Sequence, residues 1–129
     1  MNLELHHFAH KITPNSLEIV LDLFELLGCP LSYREKDARW AMAEYKPKGI
    51  DIQLIETDEK PLQTKDKINT HICFLSDNVK DDLKTIETWL ESKNIKTIKG
   101  DWSDKEYWFD LPDHFTNFVI EIMDTSIIK

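Results

Sequence analysis

Apolar residues at Leu17, Val20, Leu21, Phe24 and Leu27 recur at spacings of three and four, which is the period of one buried helix face. Thr13-Pro14-Asn15-Ser16 precedes them, with Ser16 as N-cap, and Gly28 follows as the stop. On either side the period drops to two. Residues 5–12 read as a strand before the helix. Residues 31–35, 39–45 and 50–56 read as three strands after it, the last two joined by Lys46-Pro47-Lys48-Gly49. The first half of the chain is a β-α-β-β-β unit.

Residues 58–69 are polar, contain Pro61 and lack periodicity, so they read as a linker. The pattern then restarts. A strand over residues 69–75 leads through Ser76-Asp77-Asn78 into a helix carrying Val79, Leu83, Ile86 and Leu90 at helical spacing. Strands at 94–98, 106–110 and 117–123 follow, the last two joined by Leu111-Pro112-Asp113-His114. The chain is therefore expected to be one domain built by internal duplication, with modules 1–57 and 68–129 on either side of a polar linker.

A duplication should return chemistry at equivalent places. His7 opens the first unit and His71 the second, 64 residues apart, while Gln53 and Glu121 on the fourth strands are 68 apart. Side chains alternate faces along a strand. Phe8 and Ile12 therefore put His7 opposite, Ile52 and Leu54 put Gln53 opposite, Ile72 and Phe74 put His71 opposite, and Phe118, Ile120 and Ile122 put Glu121 opposite. If the apolar faces meet the helices, all four polar residues leave the other sheet surface and converge should the units curl round a cavity. Two imidazoles, a carboxylate and an amide oxygen form a mixed N/O set suited to Zn, Ni, Co, Mn or Fe. His6 and His10 fall on the opposite face beside Phe8 and Ile12, where a structural role is expected. His114, in a turn, is expected to be solvated. Cys29 and Cys73 have neither disulfide-framework nor metal spacing and read as buried thiols of a reducing compartment. Cys73, on the face of His71, would form pocket wall.

Composition narrows the partners. The chain has 129 residues with 16 Lys+Arg against 24 Asp+Glu, a net charge of −8. That balance, without a basic stripe, excludes nucleic acid and anionic membrane surfaces as expected partners. No apolar run approaches the roughly 18 residues of a membrane span, and the first dozen residues do not resemble a secretory leader, so a cytoplasmic protein is expected.

The opening strand His7-Phe8-Ala9-His10-Lys11-Ile12, the helix end Phe24 to Gly28, the second opening strand His71-Ile72-Cys73-Phe74, the turn Asp110-Leu111-Pro112-Asp113 and the last strand Phe118-Val119-Ile120-Glu121-Ile122 together resemble the vicinal oxygen chelate superfamily. That superfamily includes glyoxalase I, methylmalonyl-CoA epimerase, extradiol dioxygenases and the fosfomycin and bleomycin resistance proteins. The resemblance covers nearly the whole chain. It implies an α+β fold of two βαβββ modules forming a cupped mixed sheet with helices on the outer face, and metal ligands at His7, Gln53, His71 and Glu121. The order His, Gln, His, Glu is similar to that of the epimerase. The chain departs from the family in lacking glycine in the turn before the last strand, and in carrying His10 where an aliphatic residue is usual.

The expected activity is a metal-dependent, glyoxalase-like lyase or isomerase that moves a proton beside a carbonyl of a small oxygen-chelating substrate, with Glu121 or Glu44 exchanging the proton. Two alternatives stand beside it. Two His and one carboxylate suit ferrous iron in a dioxygenase, although extradiol members generally carry four modules. A metal-free groove of the bleomycin-resistance type would bind a drug against Trp40, Trp102, Tyr107 and Trp108. A homodimer is expected, since the resemblance implies modules that pair through edge strands.

Overall fold

The computed structural model describes all 129 residues. They divide into two units, Met1–Lys60 and Pro61–Lys129.

In the first unit the order is β1 (His7–Ile12), α1 (Leu17–Leu26), β2 (Leu31–Arg34), β3 (Trp40–Tyr45) and β4 (Ile50–Glu56). The strands form one sheet in the order β1-β4-β3-β2. β4 runs parallel to β1 and antiparallel to β3. A parallel neighbour needs a crossover, and α1 with the β2–β3 hairpin supplies it. α1 buries Leu17, Val20, Leu21, Leu23 and Phe24 against the sheet face that carries Ala41, Ala43, Ile52 and Leu54, all buried. Each buried Leu, Val, Ile or Phe among them contributes about 1.5–3 kcal/mol on leaving water. Ser16 is the N-cap residue but makes no side-chain cap bond. Its hydroxyl instead meets Thr13 Oγ1 at 2.6 Å, and the Leu17 N–H donates to Glu56 Oε2 at 3.0 Å. A carboxylate from the end of β4 thus serves the positive end of the helix, a long-range cap that local sequence does not reveal. Gly28, at φ 95°, ends the helix as expected.

The second unit repeats the order: α2 (Thr64–Lys67), β5 (His71–Ser76), α3 (Val79–Ser92), β6 (Ile98–Ser103), β7 (Glu106–Asp110) and β8 (Val119–Asp124). Its sheet runs β5-β8-β7-β6, with β5 and β8 parallel. Val79, Ile86 and Leu90 are the buried residues of α3, and the helix packs on β8, where Ile120 and Ile122 are buried. The two βαβββ modules and their α+β class are as the sequence implied.

Three expectations need correction. The stretch read as a shapeless linker contains the one-turn helix α2, whose Lys67 is completely buried; its order comes from an ion pair far along the chain, not from periodicity. The strand expected at 94–98 lies at Ile98–Ser103. Asn94, at φ 57°, ends the preceding helix in the left-handed region, and the strand that follows runs through Gly100. Gly100 is there because the Trp108 ring covers it: a Cβ on Gly100 would lie 2.4 Å from Trp108 Cζ2. Finally, β1 begins at His7 and β8 runs two residues later than expected at its start.

The Gly100 contact makes a test. Gly100→Ala must push the Trp108 ring away, and overpacking of this kind costs about 1–3 kcal/mol. Urea unfolding should show that loss together with a changed native tryptophan emission; unchanged stability would mean the ring moves freely.

Candidate functional site

Strand register decides which side chains share a surface. In the second unit Cys73 pairs with Glu121 and Glu121 with Trp108, while His71 pairs with Val119 two residues earlier. His71, Cys73, Glu121 and Trp108 therefore lie on one face, and Ile72, Phe74, Ile120 and Ile122 on the other. In the first unit the register is the same: His7 pairs with Asp51, Ala9 with Gln53, and Gln53 with Met42. His7 and Gln53 stand in their sheet as His71 and Glu121 stand in theirs. The face assignments read from alternation hold in each unit.

The second unit brings its two candidates together. His71 Nε2 lies 3.0 Å from Glu121 Oε1. The other ring nitrogen, Nδ1, lies 3.0 Å from the Ile68 carbonyl oxygen. A carbonyl only accepts, so Nδ1 carries the proton and donates it. Nε2 then faces a carboxylate oxygen, and that contact is attractive only with a cation on it or between the two atoms, either a proton or a metal ion. Two donors bound at about 2.1 Å and at right angles are separated by about 3.0 Å, the spacing found. An imidazole whose distal N–H is fixed by a backbone carbonyl is the usual arrangement of a metal-ligating histidine. His71 Nε2 and the Glu121 carboxylate are donors of the kind a divalent ion takes, two of them in this unit.

Glu121 is buried at 6% exposure, whereas His71 is open on one side. The Trp102 ring lies 5.3 Å from the imidazole and 6.5 Å from Trp108. Aromatic walls beside a buried carboxylate exclude water from one side of it. Cys73, expected to be buried, is exposed on this face. Partial desolvation of its sulfur, then the Glu121 charge, then a hydrogen bond to Glu121 and the Glu106 charge, push the thiol up to about 12. It remains protonated at neutral pH.

In the first unit His7 is exposed, and its Nδ1 lies 2.9 Å from His6 Nδ1, so one of the two rings donates to the other. Gln53 is half-buried. Glu44, read as a surface residue or as a base, is half-buried on the face of Gln53 and pairs with Asp51. His7, Asp51 and Glu44 thus form a row across three strands. Asp51 is 7% exposed and accepts from Ser32 Oγ at 3.2 Å. It was missed, although the alternation Asp51-Ile52-Gln53-Leu54 puts it beside Gln53. No group of three or more His, Cys, Asp and Glu side chains gathers in the chain to hold a metal; of the four candidates, each unit supplies two.

His10 pairs with Leu54 on the helix-facing side, as expected, and Phe8 beside it is 53% exposed. Burial lowers the His10 imidazole below its usual 6.5. His114 is half-buried, not solvated; burial lowers it too, and the Asp113 charge opposes that.

No family model matches the sequence, and no curated protein matches it either. Solved structures do. A variant of the fosfomycin resistance protein FosX from Listeria monocytogenes, complexed with Mn(II) and dihydroxypropylphosphonic acid, aligns at TM-score 0.63 and 15% identity over 95% of this chain and 93% of that one. A glyoxylase/bleomycin resistance protein/dioxygenase domain from Frankia sp. EAN1pec aligns at 0.59 and 18% identity, covering 95% and 98%. Oxidase ChaP-H2 aligns at 0.56 and 16% identity, covering 96% of this chain and 94% of that one. This is the vicinal oxygen chelate fold. The neighbours differ in activity, so the fold carries the scaffold and leaves the chemistry to the side chains. No helix is long and apolar enough to cross a membrane.

Two titrations follow from the geometry. Because Glu121 helps to hold the Cys73 thiol protonated, alkylation by iodoacetamide near neutral pH should be slower than for an unstructured cysteine, and Glu121→Gln should accelerate it. Equal rates in the two proteins would refute the coupling. For His10, a lowered folded pKa means that the unfolded chain binds the proton more tightly. Its contribution to stability is complete above pH 6.5 and is lost as pH falls through the lower folded value. His10→Leu should flatten the pH dependence of thermal unfolding in that window.

Proposed function

We propose that the protein is a metal-dependent lyase or isomerase that moves a proton beside a carbonyl of a small oxygen-chelating substrate, with His7, Gln53, His71 and Glu121 as ligands of one divalent ion. The observation that carries this reading is the His71–Glu121 pair, 3.0 Å apart with Nδ1 of the histidine anchored on a backbone carbonyl. The matching register of His7 and Gln53 in the first unit supports it, and so does the Mn(II) bound by the FosX neighbour. A bound divalent ion supplies Lewis-acid polarisation of the substrate oxygens. Glu121 contributes the negative charge of the donor set. Glu44, half-buried on the face of Gln53, is the second carboxylate able to take a proton from carbon and return it. Trp102 and Trp108 shield the Glu121 side from water. Zn, Ni, Co, Mn and Fe all suit the donor set.

The sheets end in edge strands, β1 and β2 in one unit and β5 and β6 in the other. Pairing of such edges makes a homodimer part of the reading, and the absence of a membrane helix and the net charge of −8 favour a protein of the cytoplasm. A dioxygenase remains the second reading, because His71, His7 and Glu121 alone would make a two-histidine, one-carboxylate set.

Titration calorimetry with Mn²⁺ should show one ion per chain. His71→Ala and Glu121→Gln should each weaken binding far more than His10→Ala, whose ring belongs to the helix-facing layer. Metal-dependent exchange of a substrate α-hydrogen in deuterated water, on a panel of acyl-thioesters and 2-oxoaldehyde thiol adducts, tests the reaction class. Wild-type affinity in both ligand variants removes the metal reading; oxygen uptake on a catechol without any exchange favours the dioxygenase.

A further inference from the structure

A buried cluster with no place in the proposed chemistry lies beneath His71. Lys67 and Asp110 side chains are both 0% exposed, with Nζ 2.9 Å from Asp110 Oδ1. The Lys67 ammonium also donates to the Phe115 carbonyl, and Thr64 Oγ1 donates to Asp110 Oδ2 at 2.6 Å. Asp110, at the end of β7, therefore grips α2 at both ends, at Thr64 and at Lys67. The residue after Lys67 is Ile68, the C-cap of α2, whose carbonyl receives the His71 Nδ1 proton. The same turn is closed by Thr70 N–H to Lys67 O at 3.0 Å and tied to β8 by Val119 N–H to Thr70 O at 3.0 Å.

Stability alone does not account for this arrangement. Desolvating both charges is costly, and well-packed apolar replacements of buried ion pairs are often as stable or more so. A charge pair does what an apolar contact cannot: it fixes direction and distance. A single helical turn of four residues has no cooperative stability of its own, so the orientation of the Ile68 carbonyl depends on what holds the turn.

The geometry points to Lys67, Asp110 and Thr64 as positioning residues for His71: by clamping α2 they aim the Ile68 carbonyl at Nδ1, which keeps the proton on that nitrogen and presents Nε2 toward Glu121. This deepens the metal reading above and rests on it for the purpose served, though the clamp itself can be tested without metal. If the turn is released, the ring rotates or its proton moves to Nε2, and the nitrogen that faces Glu121 no longer offers a lone pair to an ion.

Two variants keep the test open to folding. In Lys67→Met/Asp110→Asn both charges go together, so neither is left buried alone. In Thr64→Val the ion pair stays and one arm of the clamp is cut. Folding is checked by circular dichroism and cooperative urea unfolding. The first readout is the His71 Nδ1–H resonance in ¹H–¹⁵N spectra of the metal-free protein. It should be protected from solvent exchange in the wild type, lost in the double variant and weakened in Thr64→Val. The second is Mn²⁺ affinity, which should fall by about 10–100-fold in the double variant, the usual loss when the partner of a ligating histidine is disturbed. A folded double variant with lower stability and an undisturbed Nδ1–H overturns the proposal, because a merely structural pair would behave in that way. If the double variant does not fold, Thr64→Val decides on the same resonance. If the wild type binds no Mn²⁺, the metal reading fails while the resonance still decides the clamp.

Discussion

The parallel pairing of first and last strands in each unit is the constraint on which the rest depends. Pairing of Cys73 with Glu121 places that carboxylate two residues along from the partner of His71, on the same face. A slip of one residue would send Glu121 to the face packed by α3 and bring Ile120 or Ile122 out in its place. Such slips are opposed by burial, since Phe118, Ile120 and Ile122 lie at 2% exposure or less. The hydrophobic effect thus sets the register, and the register sets the polar geometry. The same holds in the first unit, where Ile52 and Leu54 fix the position of Gln53.

That coupling explains how much could be read from the chain. Faces follow from a period of two, so His7, Gln53, His71 and Glu121 fall on the expected surfaces, and α1 shows itself by its period and by Gly28. The errors arise where a distant partner overrides local pattern. The strand expected at 94–98 lies later, through Gly100, because local sequence does not reveal the Trp108 ring that packs on that glycine. Lys67 reads as linker because its burial depends on Asp110, 43 positions away. Ser16 reads as a cap, yet the helix takes its carboxylate from Glu56. Cys73 reads as buried because thiols usually are, whereas it shares a face with Glu121 that core packing does not cover.

Within the second unit, the His71–Glu121 pair is held from three directions. The Ile68 carbonyl fixes the ring from the side of α2, the Trp102 ring lies against it, and Cys73 stands opposite Glu121 in the sheet. None of these groups needs to touch a substrate. Together they remove freedom from two side chains that would otherwise lose it on binding an ion, and losses of that kind are subtracted directly from affinity. Preorganisation here comes from the packing of an ordinary sheet, with its cost met by folding.

The donor set bears on chemistry as well as on affinity. In the proposed set only Glu121 carries charge, so a divalent ion would keep more of its own positive charge than it would between two carboxylates, and would polarise a carbonyl more strongly. In the proposed reaction the proton would be handled by Glu121 itself or by Glu44, which pairs with Asp51 on the neighbouring strand. A carboxylate engaged with an ion is a weaker base than a free one, because the ion stabilises its charged form. Within the proposed set, that argument would leave Glu121 as ligand and pass proton transfer to Glu44.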